Sequence, residues 1–369
     1  MALNVTYNAE RIAGITRQLA AGKALRRDVV ADRRSARVEV ADNALVLRMD
    51  IPGSGPELFT INATARGQLA GTLNVPTRYL DRLAEGGHHD IAADTLSKLL
   101  QREPKRHLWR FMGDRLRAVL SDRYRAIDNL DLMVIGIEAM RSRGFQVWDL
   151  RYNDDGGFFK VVGVHPEVER TLRGDTPGLH RIQRFGQLYP MVSISNSETG
   201  RASCAIDVGA IDGGCCNGLV LGRLLGQVHV GRKAEEGLVV YAEDTQRAMN
   251  DELQLRLRDT IHAAMDLDEF EGRCLALEGT TQRVIERPTQ VVEKLGDLGV
   301  TQTQQEEILA ELLRTGDTTQ WGLAAAVTAT VNPANRGELD DEQVEAMEGV
   351  GGKILTMSET EWNKLVAVA

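Results

Sequence analysis

The feature that most limits the fold is a pair of short alternating segments on either side of Gly113-Asp114, with a second pair around Asn153-Asp154-Asp155-Gly156. Alternation sends successive side chains to opposite faces of a strand. Gly, Asn and Asp supply the backbone that closes a tight turn. Residues 108–112 and 116–120 are therefore expected as one hairpin, and 145–152 and 157–164 as another. Residues 38–40 and 44–51 make a third pair about Asp42-Asn43.

A sheet built from hairpins needs cover, and the sequence supplies helices between them. Ile12, Ile15 and Leu19 recur at helical spacing in 7–25. Residues 59–61 lead into a helical stretch, 63–73, and Pro76 stands in the first turn of another that runs through Leu83. A helix over 130–143 stops at Gly144, the residue type that closes helices in the left-handed region. Residues 165–190 read as a connection, and 191–195, 201–210 and 219–230 as further strands. Beyond Lys233 the pattern turns helical, with a long amphipathic stretch over 234–265 and an apolar stripe at Ile308, Leu309, Leu312 and Leu313. The expected class is α+β: an antiparallel sheet with packed helices, then a helical C-terminal region. The boundary falls between a body, 1–233, and a helical part, 234–369.

Charge follows the same boundary approximately. Residues 1–250 carry 34 Lys/Arg against 30 Asp/Glu, whereas 251–369 carry 10 against 23. A mildly basic body beside an acidic helical part points to a polyanion as the body's partner, or only to solvated helical faces. Aromatic content of 5% speaks against a surface built from many stacked bases. No stretch approaches the roughly 20 apolar residues of a membrane span, and 1–22 mixes Asn, Glu and Arg among its apolar residues, unlike a signal-peptide core. None of Cys204, Cys215, Cys216 and Cys274 has C-x-x-C spacing. A cytoplasmic protein with reduced thiols is the expectation.

Several activities lack their motif. There is no G-x-x-x-x-G-K-[ST] loop, no G-x-G-x-x-G, no G-x-S-x-G elbow and no H-E-x-x-H. His88-His89-Asp90 reads as a surface turn, and Cys215, Cys216 and His229 as buried or structural residues rather than a zinc site. No cofactor and no metal are expected.

The chemistry-bearing stretch is 102–125, with eight basic residues against three acidic ones. On a hairpin, Arg110, Arg115 and Arg117 are candidates for one shared face, with Arg106, Arg123, Tyr124 and Arg125 beside them. Guanidinium forks match phosphate oxygens, and neutralised phosphates release counterions. Protection of an edge strand by charge is the alternative. Two Asn/Gly-containing turns, 193–200 and 215–218, and the segment 229–233 add Asn196, Arg201, Asn217, Arg232 and Lys233 as candidate nucleic-acid contacts. Such turns either present backbone N–H groups to an anion or simply close hairpins.

Four segments, in order, carry a family likeness: Ala118-Val119-Leu120-Ser121-Asp122-Arg123-Tyr124-Arg125-Ala126-Ile127-Asp128-Asn129, then Asn196-Ser197-Glu198-Thr199-Gly200, then Cys216-Asn217-Gly218 with His229, and finally Trp321-Gly322-Leu323 with Ala326-Val327-Thr328. Together they resemble a phage- and plasmid-borne family, domain of unknown function 932. The departure is Val228, where that pattern has an arginine before the histidine. More distantly, the strand and helix order is similar to single-strand annealing proteins, which form oligomeric rings, bind DNA in a basic groove and need no nucleotide. The resemblance implies a single-stranded DNA binding and annealing protein of a mobile element, acting as a homo-oligomer in recombination or replication. Two other functions compete. One is an interaction protein, such as a host-defence antagonist, that uses the acidic helices. The other is a metal-dependent nuclease that uses Glu198 and His229.

Overall fold

The computed structural model describes residues 9–51, 53–124, 127–155, 157–171, 187–213, 218–227, 243–331 and 341–367. The first layer opens with helix α1 (Ala9–Leu25), followed by β1 (Arg26–Asp32), β2 (Ala36–Ala41), β3 (Ala44–Ile51) and β4 (Gly55–Ile61). Helices α2 (Ala63–Thr72), α3 (Thr77–Glu85) and α4 (His89–Leu100) come next, and then β5 (Arg106–Met112) and β6 (Arg115–Ser121). The six strands form one sheet in the order β1-β5-β6-β4-β3-β2. Every neighbouring pair is antiparallel except β4 and β6, which meet in parallel at Thr60 and Arg115.

The hairpin turns follow from their residues. Asp42 and Asn43 both adopt positive φ, 49° and 59°, as a two-residue turn matched to the strand twist demands. Gly113 takes φ 59° at the head of the β5–β6 turn. In β3, Leu47, Met49 and Ile51 point inward while Arg48 and Asp50 face water. The inward residues join Phe59, Trp109 and Phe111 in a core closed by Leu69 of α2, Leu80 of α3 and Leu96 and Leu100 of α4. Two strands and a helix extend the expected scheme, because β1, α4 and most of β4 were not marked by any alternation or stripe.

The second layer begins with α5 (Asn129–Ser142), whose N-cap Asp128 accepts a hydrogen bond from the Leu130 N–H at 2.9 Å. After it come β7 (Gln146–Asn153), β8 (Phe158–Val164), the short β9 (Arg170–Thr171), β10 (Gln187–Ser197), β11 (Cys204–Asp212) and β12 (Gly218–Gln227). They form a second antiparallel sheet, β12-β11-β10-β8-β7, with β9 added beside β10. The rest is helical: α6 (Glu243–Ala264), α7 (Leu267–Glu278), α8 (Pro288–Glu293), α9 (Gln302–Thr315), α10 (Gln320–Ala329), α11 (Asp341–Thr356) and α12 (Glu359–Val366). None of the described helices is long and apolar enough to cross a membrane.

Both faces of the second sheet are covered, which is why β8, β10 and β11 are almost wholly buried. One face meets α1, α5 and α6 through Phe159, Val161, Ile194 and Ile206. The other, which carries Val162, Met191, Ser193, Ile211 and Val220, lies under α10 and α11, and Leu188, Ala210, Leu219 and Leu221 belong to a core with Trp321, Val327, Val344, Met347 and Trp362. The fold is α+β with a helical C-terminal region. Its hydrophobic core nevertheless runs across the boundary drawn at 233, because the helical part supplies cover to both faces of the second sheet.

Candidate functional site

The hairpin arginines do share a face, and that face is closed. Arg110 stands opposite Ala118, and Met112 opposite Arg115, with an irregularity after Arg110 that re-aims the side chains. Asp154 and Gly157 and the turn 197–200, all from the second sheet, cover them. Arg110 is 6% exposed; its Nε donates to Asp28 Oδ1 at 2.9 Å and its Nη1 to the Glu198 backbone carbonyl. Burial works against its charged form, but Asp28 and Glu198 outweigh burial and hold the guanidinium pKa above its ordinary value. Arg117, 2% exposed, lies 3.4 Å from Glu198 Oε2, and Arg115 pairs with Asp154.

Glu198 is the centre of this arrangement. It is 1% exposed and takes Arg26 Nη2 at 2.8 Å and the Asn129 backbone N–H at 2.8 Å on Oε1. Around it the two most distinctive segments of the sequence interlock. Asn196 Nδ2 donates to Asn129 Oδ1 at 2.7 Å and to the Ile127 carbonyl at 3.0 Å. Asn129 Nδ2 donates to the Gly157 carbonyl at 2.8 Å, and the Tyr124 hydroxyl donates to the Ser197 carbonyl at 2.9 Å. Burial pushes the Tyr124 phenol pKa up. Gly200, at φ 76°, leaves no room for a side chain, since a Cβ would meet Leu120 Cδ2 at 2.9 Å. These residues form a polar joint between the two sheets, in which most buried polar groups find a partner, while Arg26 Nε, Arg117 Nε and Asn196 Oδ1 have no hydrogen-bond partner among the described residues.

The joint changes the standing of several candidate contacts. Arg110, Arg117 and Asn196, expected to face nucleic acid, are buried and turned to the chain's own groups, and Arg115 is held by Asp154. A sheet face closed by a second sheet keeps Arg110 and Arg117 from a polyanion, so they act in the joint together with Asn196, while Arg115, its side chain 31% exposed, stands at the rim of the joint. Glu198, the acid of the nuclease alternative, has both carboxylate oxygens engaged by arginines and an N–H. No group of three His, Cys, Asp or Glu side chains able to hold a metal occurs among the described residues. Burial pushes the thiols of Cys204 and Cys274 up to about 12, far from a reactive thiolate. Arg125, Cys215, Cys216, Asn217, His229, Arg232 and Lys233 lie outside the described residues.

Of the described basic residues in 102–125, those fully open to water gather at one end of the first sheet. Arg106 opens β5 opposite Asp32 at the end of β1, and His107 stands opposite Ser121 at the end of β6. Three segments therefore meet there: the turn 33–35, the loop 101–106 and the turn 121–124. They carry Arg34, Arg102, Lys105, Arg106 and Arg123, all exposed, with the buried Arg33 behind. Arg33 N donates to the Lys105 carbonyl at 2.9 Å, and Arg33 Nε to the Glu103 carbonyl at 2.6 Å, which ties two of the segments together. Asp32, Glu103 and Asp122 are the acids among them. Asp32 caps the turn and pairs with Arg34 at 2.9 Å, and Glu103 lies 3.6 Å from Arg33. His107 senses the excess: burial lowers its pKa first, and Lys105 and Arg33 add to the lowering.

Of the expected contacts, this cluster retains Arg106 and Arg123. Arg201 is exposed elsewhere, beyond the Glu198 turn. Arg34, Arg102 and Lys105 join the cluster without having been singled out, because the pairing of β1 with β5 has no local signal to announce it. No family model matches the chain, and neither a curated protein nor a solved structure matches it.

Proposed function

We propose that the chain binds single-stranded nucleic acid across the basic end of the first sheet, and that it acts as an annealing protein of a phage or other mobile element without nucleotide hydrolysis. The observation that carries the reading is the cluster of Arg102, Lys105, Arg106 and Arg123. All four are exposed, and no described residue forms an ion pair with their side chains. A solvated cation costs little to bring against a phosphate, and the ions it displaces favour binding. Few aromatic groups accompany the cluster, so the contact is to the backbone and sequence preference is weak. The mobile-element setting rests on the resemblance of the four motif segments, and the annealing role and the oligomer on the likeness of the strand and helix order to single-strand annealing proteins.

Fluorescence anisotropy with a labelled single-stranded oligonucleotide tests this. At about 50 mM salt the protein should bind, and four phosphate contacts should give log K a slope of roughly −3 against log salt. The reading fails if no binding appears at low salt, or if the slope is flat. Complementary strands should pair faster in the presence of the protein if it anneals.

A further inference from the structure

Beneath α11 lies a cavity of about 250 Å³, between the face of the second sheet and helices α10 and α11. Its wall is largely apolar, from Trp148, Val162, Met191, Ile211 and Val220. Its polar side holds two cations and two anions, all paired with one another. Glu348 of α11 accepts from Arg151 Nη2 at 3.1 Å and from Lys160 Nζ at 2.6 Å, and Asp149 accepts from Arg151 Nε at 2.7 Å. Arg151 and Lys160 are 7% and 2% exposed. Two buried polar atoms in this wall have no partner among the described residues: Arg151 Nη1 and Ser193 Oγ.

Three properties of an occupant follow. Since the lining charges cancel, an ion would give up its hydration without gaining a counter-charge, so the occupant is uncharged. The unpartnered guanidinium N–H is a donor and the serine hydroxyl can serve as one, so the occupant offers an acceptor oxygen near them. The space lies between a sheet face and a helical layer, with an indole and a thioether in its wall, and favours a planar ring. Its volume is at the lower end of the roughly 300–1,000 Å³ of small-molecule pockets. We infer that this cavity is a binding site for an uncharged planar heterocycle bearing a ring carbonyl, of nucleobase or nucleoside size. The inference does not depend on the basic end of the first sheet.

The test is calorimetric titration of the full chain with uridine and inosine as neutral probes and uridine 5′-monophosphate as the charged counterpart. At least one nucleoside should bind saturably, and the monophosphate at least tenfold more weakly. Ser193→Ala, which keeps the volume and removes one polar partner, should weaken nucleoside binding about tenfold. Val162→Phe, which fills the cavity, should abolish it while thermal unfolding stays cooperative; if that variant does not fold, Ser193→Ala decides. An Arg106→Glu/Arg123→Glu variant should bind nucleosides like the parent, which separates this site from the nucleic-acid reading. Absence of saturable binding by both nucleosides, equal affinity for the monophosphate, or a Ser193→Ala protein that binds unchanged overturns the assignment.

Discussion

Arginines from neighbouring positions in the chain end in two different environments of the first sheet. Arg110 and Arg117 lie in the joint between sheets, where Asp28 and Glu198 stand opposite them. Arg106 and Arg123, only a few residues away, sit at the sheet's end in water. In the joint a guanidinium must be matched, since an unpaired buried charge costs several kcal/mol. At the end water does the matching and the charge stays available. The contrast teaches that the count of basic residues along a strand says little about binding until the facing layer is known.

The sharpest way to break the contrast is to remove the acid at the centre of the joint. Glu198→Ala leaves Arg26 and Arg117 facing an empty position, and should cost about 3–5 kcal/mol in urea unfolding at neutral pH. Glu198→Gln, which keeps part of the hydrogen bonding, should lose less. A loss below about 1 kcal/mol for the alanine variant would mean that water reaches the joint and that it is not the buried contact described.

How much of this was legible in the sequence depends on where the deciding signal sits. The hairpin around Gly113, the helix ending at Gly144 and most strands of the second sheet are local and announced by turn residues, whereas β9 and the start of β10 fall in 165–190, which reads as a connection. Gly144 does adopt a positive φ, 79°. Strand β1 and helix α4 went unread. The Arg26–Asp32 strand carries charge at both ends, and His88-His89-Asp90 looks like a turn although α4 starts within it. The shared face of Arg115 and Arg117 was likewise legible from parity. Its closure by the 197–200 turn was not, because that contact joins residues about eighty positions apart through a second sheet.

A second buried network offers an independent comparison, this time in the second sheet. Glu348 faces Arg151 and Lys160. Burial opposes its ionisation, but the two cations outweigh burial and hold its pKa below the ordinary glutamate range. A depressed folded-state pKa means that the stabilisation is complete above the unfolded pKa and is lost as pH falls through the folded one. Glu348→Gln should therefore cost roughly 2–3 kcal/mol at neutral pH. Parent and variant should converge in stability on acidification. A gap that stays constant down to strongly acid pH would show that Glu348 contributes through shape rather than charge.

Smaller effects belong to single hydrogen bonds of the joint. Tyr124→Phe removes the donor to the Ser197 carbonyl and keeps the ring, so about 1 kcal/mol should be lost. Chemical denaturation with an unchanged m-value would confirm that only the bond is gone. A much larger loss would make the hydroxyl part of the Glu198 network rather than its fringe.

The smallest effect on the fold should come from the outer cluster, and there the two environments part most clearly. Arg106 and Arg123 are solvated, so Arg106→Glu/Arg123→Glu should leave stability within about 0.5 kcal/mol of the parent. The same change replaces two attractions for a phosphate chain by two repulsions. Affinity for a single strand at low salt should then fall at least tenfold, with a shallower salt slope. A variant that unfolds would place these arginines in a structural role like that of Arg110. One that folds and still binds like the parent would remove the basic end from the nucleic-acid interface. Stable protein with lost binding is the pattern expected when charge is held in water for a partner rather than spent inside the fold.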